Sequence, residues 1–244
     1  MAKQVFKLQS KDKLTSYMKK FSSIEKSLLF EIAGDRLVAK THTPDKSVVK
    51  IGSALITDIM DVQGTIQDCK IGLFAVDNFI NSFKQFGDGE IKLEINIENV
   101  TGSMVATELK ALGKNLKISF PCASTSMFRY IDAELAEKIS SVATSQFSFR
   151  IDKDTLSKIS SLCSIDSEHD TLTFESRGGN IQVRGKSFEL ELEGVSGTGQ
   201  GSISFYKTHL AFVDKEDSEF FILDKKVIIK SLESDTSIII GSVE

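Results

Sequence analysis

The sequence predicts an α+β protein made of two repeats of one unit, each an antiparallel sheet with two helices on one face. Three observations predict this. Residues 5–40 and 147–184 follow the same plan at offsets of 142 to 144 residues. Strand patterns outnumber helical ones along the whole chain. The few helical stretches fall at matching places in the two halves.

The repeat is legible residue by residue. Lys11-Asp12-Lys13-Leu14 aligns with Lys153-Asp154-Thr155-Leu156 at an offset of 142. Phe30 and Gly34 align with Phe174 and Gly178 at an offset of 144. In the first half the strand patterns are Val5–Leu8, Leu28–Ala33, Arg36–Lys40, Ser47–Ile51, Leu55–Met60, Lys70–Ala75, Glu90–Ile97, Met104–Glu108 and Leu116–Phe120. In the second they are Phe147–Ile151, Leu172–Ser176, Asn180–Arg184, Phe188–Glu193, Ser202–Phe205, Glu219–Leu223, Val227–Ser231 and Ser237–Gly241. Glu90–Ile97 and Phe188–Glu193 alternate polar and apolar, as strands with one buried face do. Short turns such as Gly34-Asp35 and Asp224-Lys225 make most connections hairpins.

Four segments carry a helical period. In Ser10–Phe21 the residues Leu14, Tyr17, Met18 and Phe21 share one side, opposite Lys13, Ser16, Lys19 and Lys20. Asp77–Phe86 aligns Phe79, Ile80, Phe83 and Phe86, with Lys84 outside. Asp152–Cys163 aligns Leu156, Ile159, Leu162 and Cys163, with Lys158 outside. Phe205–Val213, presenting Lys207 and His209, has the weakest pattern. Asp77 and Asp152 stand where N-caps belong. Residues 121–146 break the strand pattern and hold a short helical turn within Ile131–Ser141. The expected domains are therefore 1–120 and 147–244, joined by a connector at 121–146.

Composition narrows the function. No stretch reaches the ~18 apolar residues of a membrane helix, so no membrane partner is expected. Met1-Ala2-Lys3-Gln4 runs straight into a strand pattern, with no secretory leader visible. Cys69, Cys122 and Cys163 lie far apart in sequence and read as scattered thiols of a reducing, cytoplasmic compartment. His42, His169 and His209 form no HxH or HxxxH pair, so no metal or cofactor is expected. Gly194–Gly201 is rich in glycine but lacks the Gly-Lys-Ser/Thr of a phosphate loop, and reads as a flexible turn. There is no Gly-x-Ser-x-Gly elbow. Asp58/Asp61 and Asp152/Asp154 read as surface charges or caps. The chain is not expected to be an enzyme.

The formal net charge is −4, which alone argues against a nucleic-acid partner. Its distribution argues otherwise. Residues 10–21 carry Lys11, Lys13, Lys19 and Lys20 against Asp12, a net of +3. Residues 77–86 and 152–163 balance, and residues 205–215 carry +1. The helical segments thus hold +4 and the rest of the chain −8. That suits a protein that meets a polyanion with one surface only.

At this point the chain resembles the DNA polymerase sliding clamps, the processivity factors of replication. It is most similar to the trimeric two-domain clamps of large tailed phages. The resemblance is carried by Leu8-Gln-Ser-Lys-Asp-Lys-Leu14, the hairpin around Gly34, and Gly72–Phe83 followed by Asp88-Gly-Glu-Ile-Lys-Leu93. Asn115-Leu-Lys-Ile-Ser-Phe-Pro121 and the restart at Phe149-Arg-Ile-Asp-Lys-Asp-Thr-Leu156 complete it. The order and spacing of these segments, rather than any sharp signature, make the match. The fourth helical segment fits poorly, which puts a DNA contact from Lys207 in doubt.

The resemblance implies a clamp fold and a homotrimeric ring that encircles double-stranded DNA without regard to sequence. Such a ring tethers DNA polymerase and is placed by a clamp loader. If the protein is viral, its compartment is the host cytoplasm. The helices would line the channel, with Lys13, Lys19, Lys20, Lys84, Lys153 and Lys158 toward phosphate. Subunits would join strand to strand, through Leu116, Ile118 and Phe120 of one copy and Phe188, Leu190 and Leu192 of the next. A pocket for partner peptides would involve Met127, Phe128, Tyr130 and Ile131, backed by Ile238–Ile240. Two other readings stay open from sequence. One is a monomeric or dimeric processivity factor of the same fold that holds DNA on a basic face. The other is a β-rich structural or assembly protein.

Overall fold

The computed structural model describes residues 2–87, 89–128, 131–167 and 170–243. The chain divides into two compact units. One comprises Met1–His42 and Ile51–Ile131, the other Thr43–Lys50 and Asp132–Glu244.

The first unit begins with β1 (Ala2–Leu8), α1 (Lys11–Ser22), β2 (Leu28–Ala33) and β3 (Arg36–His42). Then come β4 (Val48–Leu55), whose start is counted with the second unit, α2 (Ile56–Ile59) and β5 (Met60–Gln63). The unit continues with β6 (Cys69–Leu73), α3 (Val76–Ser82), β7 (Lys92–Val100), β8 (Ser103–Leu112) and β9 (Lys117–Pro121). The strand order is β5-β1-β7-β8-β6-β2-β3-β4, with β9 also on β8. The pairs β5-β1, β1-β7, β7-β8, β8-β9, β6-β2 and β2-β3 are antiparallel, and β6 touches β8 in parallel at Lys70 and Val105. Alternate strand residues such as Phe30, Ile32, Ile71, Leu93 and Ile95 turn to one face. There they meet Leu14, Met18 and Phe21 of α1 and Phe79 and Ile80 of α3 in one buried core. This is the expected pair of helices on one face of a sheet.

The second unit repeats the plan. Beyond α4 (Ala133–Ser140), it runs β10 (Phe147–Ile151), α5 (Lys153–Cys163), β11 (Thr171–Arg177), β12 (Asn180–Arg184) and β13 (Glu189–Ser196). The remaining strands are β14 (Thr198–Gly199), β15 (Gly201–Tyr206), β16 (Ser218–Ile222), β17 (Lys226–Ser231) and β18 (Thr236–Gly241). A single 3-10 helix spans Lys207–Phe212. One sheet runs β14-β10-β16-β17-β18 and the other β13-β12-β11-β15. The repeat holds at the level of pairing. Phe30 faces Ala39 across β2/β3, and Phe174 faces Val183 across β11/β12, every partner shifted by 144.

Four local expectations need correction. Leu55–Met60 is not a strand: Ile56–Ile59 closes a helical turn, entered through an Ile56 N–H to Asp35 carbonyl bond of 2.8 Å. Gly194–Gly201 is not a free turn, because β13 extends to Ser196 and β14 pairs with β10. Gly199 is required there. Its φ is +90°, and a Cβ would lie 2.1 Å from the Gln146 carbonyl oxygen. Asp77 does not cap α3: Ala75 does, in left-handed backbone, while Asp77 pairs with Lys26 at 2.7 Å. Finally, Phe205–Val213 forms a short 3-10 turn rather than an α-helix.

Candidate nucleic-acid and subunit interfaces

α1 is built to present lysine. The Ser10 hydroxyl accepts the Asp12 N–H at 3.2 Å and caps it. Leu14, Tyr17, Met18 and Phe21 are buried, and the Tyr17 hydroxyl donates to the carbonyls of Leu37 (2.8 Å) and Gly52 (3.1 Å). That anchoring sets the helix rotation. Lys13 and Lys19 are left exposed and Lys20 half-buried. Among the described residues Lys13 reaches only the Gln9 side-chain oxygen, at 3.4 Å. Lys11 turns back instead and donates to the Phe86 carbonyl at 2.8 Å. Lys84 lies exposed in the 3-10 turn Phe83–Gln85 that continues α3.

α5 has the same construction with a different charge. Asp152 caps it, accepting the Thr155 N–H at 2.7 Å, and that bond holds its carboxyl below the usual carboxylate range. Lys153 and Lys158 are exposed beside the exposed Asp152 and Asp154. Lys207 is occupied. Its ammonium donates to the carbonyls of Cys163 and Asp166 at the C-terminal end of α5, where a cation belongs.

Of the six residues expected at the subunit joint, Ile118 and Phe120 lie in β9 and Leu190 and Leu192 in β13, while Leu116 and Phe188 stand just before those strands. Among the described residues β9 pairs only with β8, and β13 only with β12. Leu116, Ile118 and Phe120 are half-buried against the core of the first unit, and the Phe120 ring packs edge-on to Phe79 at 4.8 Å. Phe188 and Leu190 are half-buried and Leu192 is buried.

The expected peptide pocket is part surface, part core. Met127 is 65% exposed, and Phe128 stacks on Phe74, itself 51% exposed, at 5.4 Å between ring centres. Ile131 is buried at 4%, Ile238–Ile240 are buried within the second unit, and Tyr130 lies outside the described residues. Phe74 was not among the residues expected here. The sequence signal is Gly72 two positions earlier: a Cβ there would sit 2.4 Å from the Phe128 ring. The glycine lets the 123–128 segment lie against β6, where the Ala123 N–H bonds the Gly72 carbonyl at 3.0 Å.

Among the described residues no group of His, Cys, Asp and Glu is placed to hold a metal. The three cysteines are unpaired, and burial pushes the Cys69 and Cys122 thiols up to about 12, which makes them poor nucleophiles. No helix is long and apolar enough to cross a membrane.

No family model and no curated protein matches the chain. Solved structures do. PCNA from Thermococcus kodakaraensis superposes with a TM-score of 0.71 over 98% of this chain and all of that one, at 11% identity. The fold is that of the sliding clamps. The proliferating cellular nuclear antigen of Entamoeba histolytica gives a TM-score of 0.73 with both chains fully covered, at 10% identity. The Helicobacter pylori beta clamp, solved bound to a DNA ligase peptide, gives 0.65 over 98% of this chain and 66% of its own, at 12% identity.

Proposed function

We propose that this protein is a sliding clamp: a homotrimeric ring that encircles duplex DNA and tethers DNA polymerase for processive synthesis. The observation that carries the reading is the lysine face of α1, projected by a buried anchor from a clamp-type fold that is complete across the chain. The chain matches the whole length of the PCNA chains but two thirds of the bacterial clamp, which fits a two-domain subunit and hence a ring of three.

In such a ring three copies of α1 bring a charge of about +9, a sequence-independent attraction to phosphate. Lysine suits a sliding contact, being a mobile point charge rather than a rigid fork. The channel set is Lys13, Lys19, Lys20, Lys84, Lys153 and Lys158. Head-to-tail joining through β9 and β13 would cover two edges that are otherwise open to aggregation. The surface made by the exposed Phe74 and Met127 and the half-buried Phe128 would receive apolar side chains of short peptides from the polymerase and the clamp loader.

The deciding experiment is absolute mass by light scattering over a dilution series, with processivity of a partner polymerase measured alongside. A mass of three chains, together with longer extension products, supports the ring. A stable single chain that still binds DNA would replace it with a factor that holds DNA on one basic face.

A further inference from the structure

We propose that the second unit carries a binding site for a small organic anion, a charged head on an apolar body, in the cleft between α5 and the 3-10 turn Lys207–Phe212. The proposal goes beyond the clamp reading and does not depend on it, since every residue of the cleft belongs to the second unit.

The cleft has a cause in the sequence. Beside α1, the buried Phe79, Phe83 and Phe86 join the core of the first unit. Beside α5 stand Leu210, Ala211 and Val213, with less side-chain volume. A six-residue 3-10 turn carries them. The space left open is about 370 Å³, within the range of small-molecule sites.

Its floor is apolar and its rim is cationic. Leu156, Cys163 and Leu210 are buried and form the floor. Lys207 and Lys215 stand at the rim, and no Asp or Glu lines the cleft among the described residues. That is unusual in a chain with 34 acidic residues against 30 basic ones. The carboxylates next to Lys215 in sequence have turned to other partners. Asp214 meets Lys50 Nζ at 2.7 Å, and Glu216 accepts the Ser234 hydroxyl at 2.8 Å. Lys215 is exposed and has no ion pair among the described residues. Lys207 donates two of its three ammonium protons to the carbonyls of Cys163 and Asp166, and the third has no partner among the described residues.

The donors decide where a ligand's head must lie. Inside the cleft the Ser160 hydroxyl already gives its proton to the Leu156 carbonyl at 2.9 Å. At the rim the exposed Thr208 hydroxyl bonds nothing among the described residues. Protons for a ligand are therefore offered at the rim, by Lys207, Thr208 and Lys215. Bare phosphate would meet the rim and leave the floor wet. An alcohol would cover the floor and leave both cations unanswered. An organic anion does both: its body removes apolar surface from water, and its head takes charge-assisted hydrogen bonds.

The test is a fluorescence titration of the full chain with anilinonaphthalene sulfonate, an aromatic anion that brightens when it leaves water. Binding should saturate at about one dye per chain. K215E should weaken it by about tenfold, because a charge-assisted bond becomes a repulsion. A211W, at an exposed position on the cleft wall, should abolish it by filling the space. Circular dichroism confirms the fold of both variants. Octanoate should displace the dye about tenfold better than 1-octanol, and inorganic phosphate should not displace it. Dye binding that both variants leave unchanged would lie on another surface and overturn the site, as would a parent that binds no dye. Displacement by 1-octanol as readily as by octanoate would overturn the anionic head. Displacement by inorganic phosphate as readily as by octanoate would make the cleft a seat for bare phosphate, nucleic-acid backbone included, and overturn the organic ligand. The ring is judged separately by the mass measurement above, so either reading can fail without the other.

Discussion

The two units share one plan and use it for different ends. In the first, α1 carries a net of +3 and is backed by a second true helix, α3. In the second, α5 together with its cap Asp152 is electrically balanced, and the place of α3 is taken by a six-residue 3-10 turn. The lysine of that turn, Lys207, is spent on the C-terminal carbonyls of α5. The sheets differ as well. The parallel contact of β6 with β8 joins the first unit's strands into one sheet, whereas the second unit's strands form two. What binds those two sheets is aromatic. Phe149 lies 5.5 Å from Phe174 and 5.0 Å from Phe220, and Phe174 lies 5.8 Å from Phe205. A duplicated fold can thus keep its pairing register while its halves diverge, one toward charge and one toward packing.

The sharpest way to break that contrast is to empty equivalent positions. Phe174→Ala should cost about 3–5 kcal/mol in urea unfolding, as large aromatic truncations do. Phe30→Ala, its counterpart by register, should cost less, because among the described residues Phe30 has one ring neighbour, Tyr17 at 6.4 Å. The opposite order would mean the aromatic stack does not hold the second unit together.

The charge contrast comes next in size. Changing Lys13, Lys19 and Lys20 together to Glu should lower duplex affinity at least tenfold and flatten its salt dependence by roughly one unit of slope per lost phosphate contact. Changing Lys153 and Lys158 to Glu should do less, because Asp152 and Asp154 already offset them. Equal losses would mean both units grip DNA alike.

Lys207 separates stability from binding. Lys207→Ala should remove about 1–3 kcal/mol by stranding two carbonyls, and leave duplex affinity unchanged. A fall in affinity with unchanged stability would return Lys207 to the channel.

The smallest effect is a response to acid. His209 is buried in the second unit, with Nε2 3.2 Å from the Ser47 hydroxyl and Nδ1 without a partner among the described residues. Burial lowers its pKa below the usual histidine value, and Asp45 opposes that shift. The folded state therefore resists protonation. The stability this group contributes is present above about pH 6.5 and is lost as pH falls below it. Asp45 extends the trend. Bonds from the Thr43 hydroxyl and the Ser47 N–H and hydroxyl bring its carboxyl down to about 2. Its contribution is present above about pH 4 and drains away from there toward pH 2. Thermal scans of the parent should show a falling midpoint between pH 7 and 5, and His209→Gln should flatten that interval. An unchanged slope would acquit His209.

Much of this was legible in the sequence. α1 and α5 were readable because an apolar period and a polar cap are local signals. The β2/β3 and β11/β12 hairpins were readable because alternation and a glycine turn lie within a dozen residues. The misread places each had a distant cause. Ile56–Ile59 turns helical on a bond to Asp35, and β14 exists because Gly199 can approach Gln146. Phe74 meets Phe128 because Gly72, lacking a side chain, leaves room for that ring.

The sequence by itself determined the repeat, the fold class and the lysine-bearing face of α1, since periodicity and charge order along a chain need no partner to be read. The tertiary structure decided the rest. It placed Thr43–Lys50 with the second unit, where Lys50, 1% exposed, is held by the Asp214 carboxylate at 2.7 Å and the Phe212 carbonyl at 3.0 Å. A buried cation needs such partners, and they stand 162 and 164 residues away. It also decided which lysines meet solvent and which strand edges stay open, because both depend on what every other strand and carbonyl has already bound.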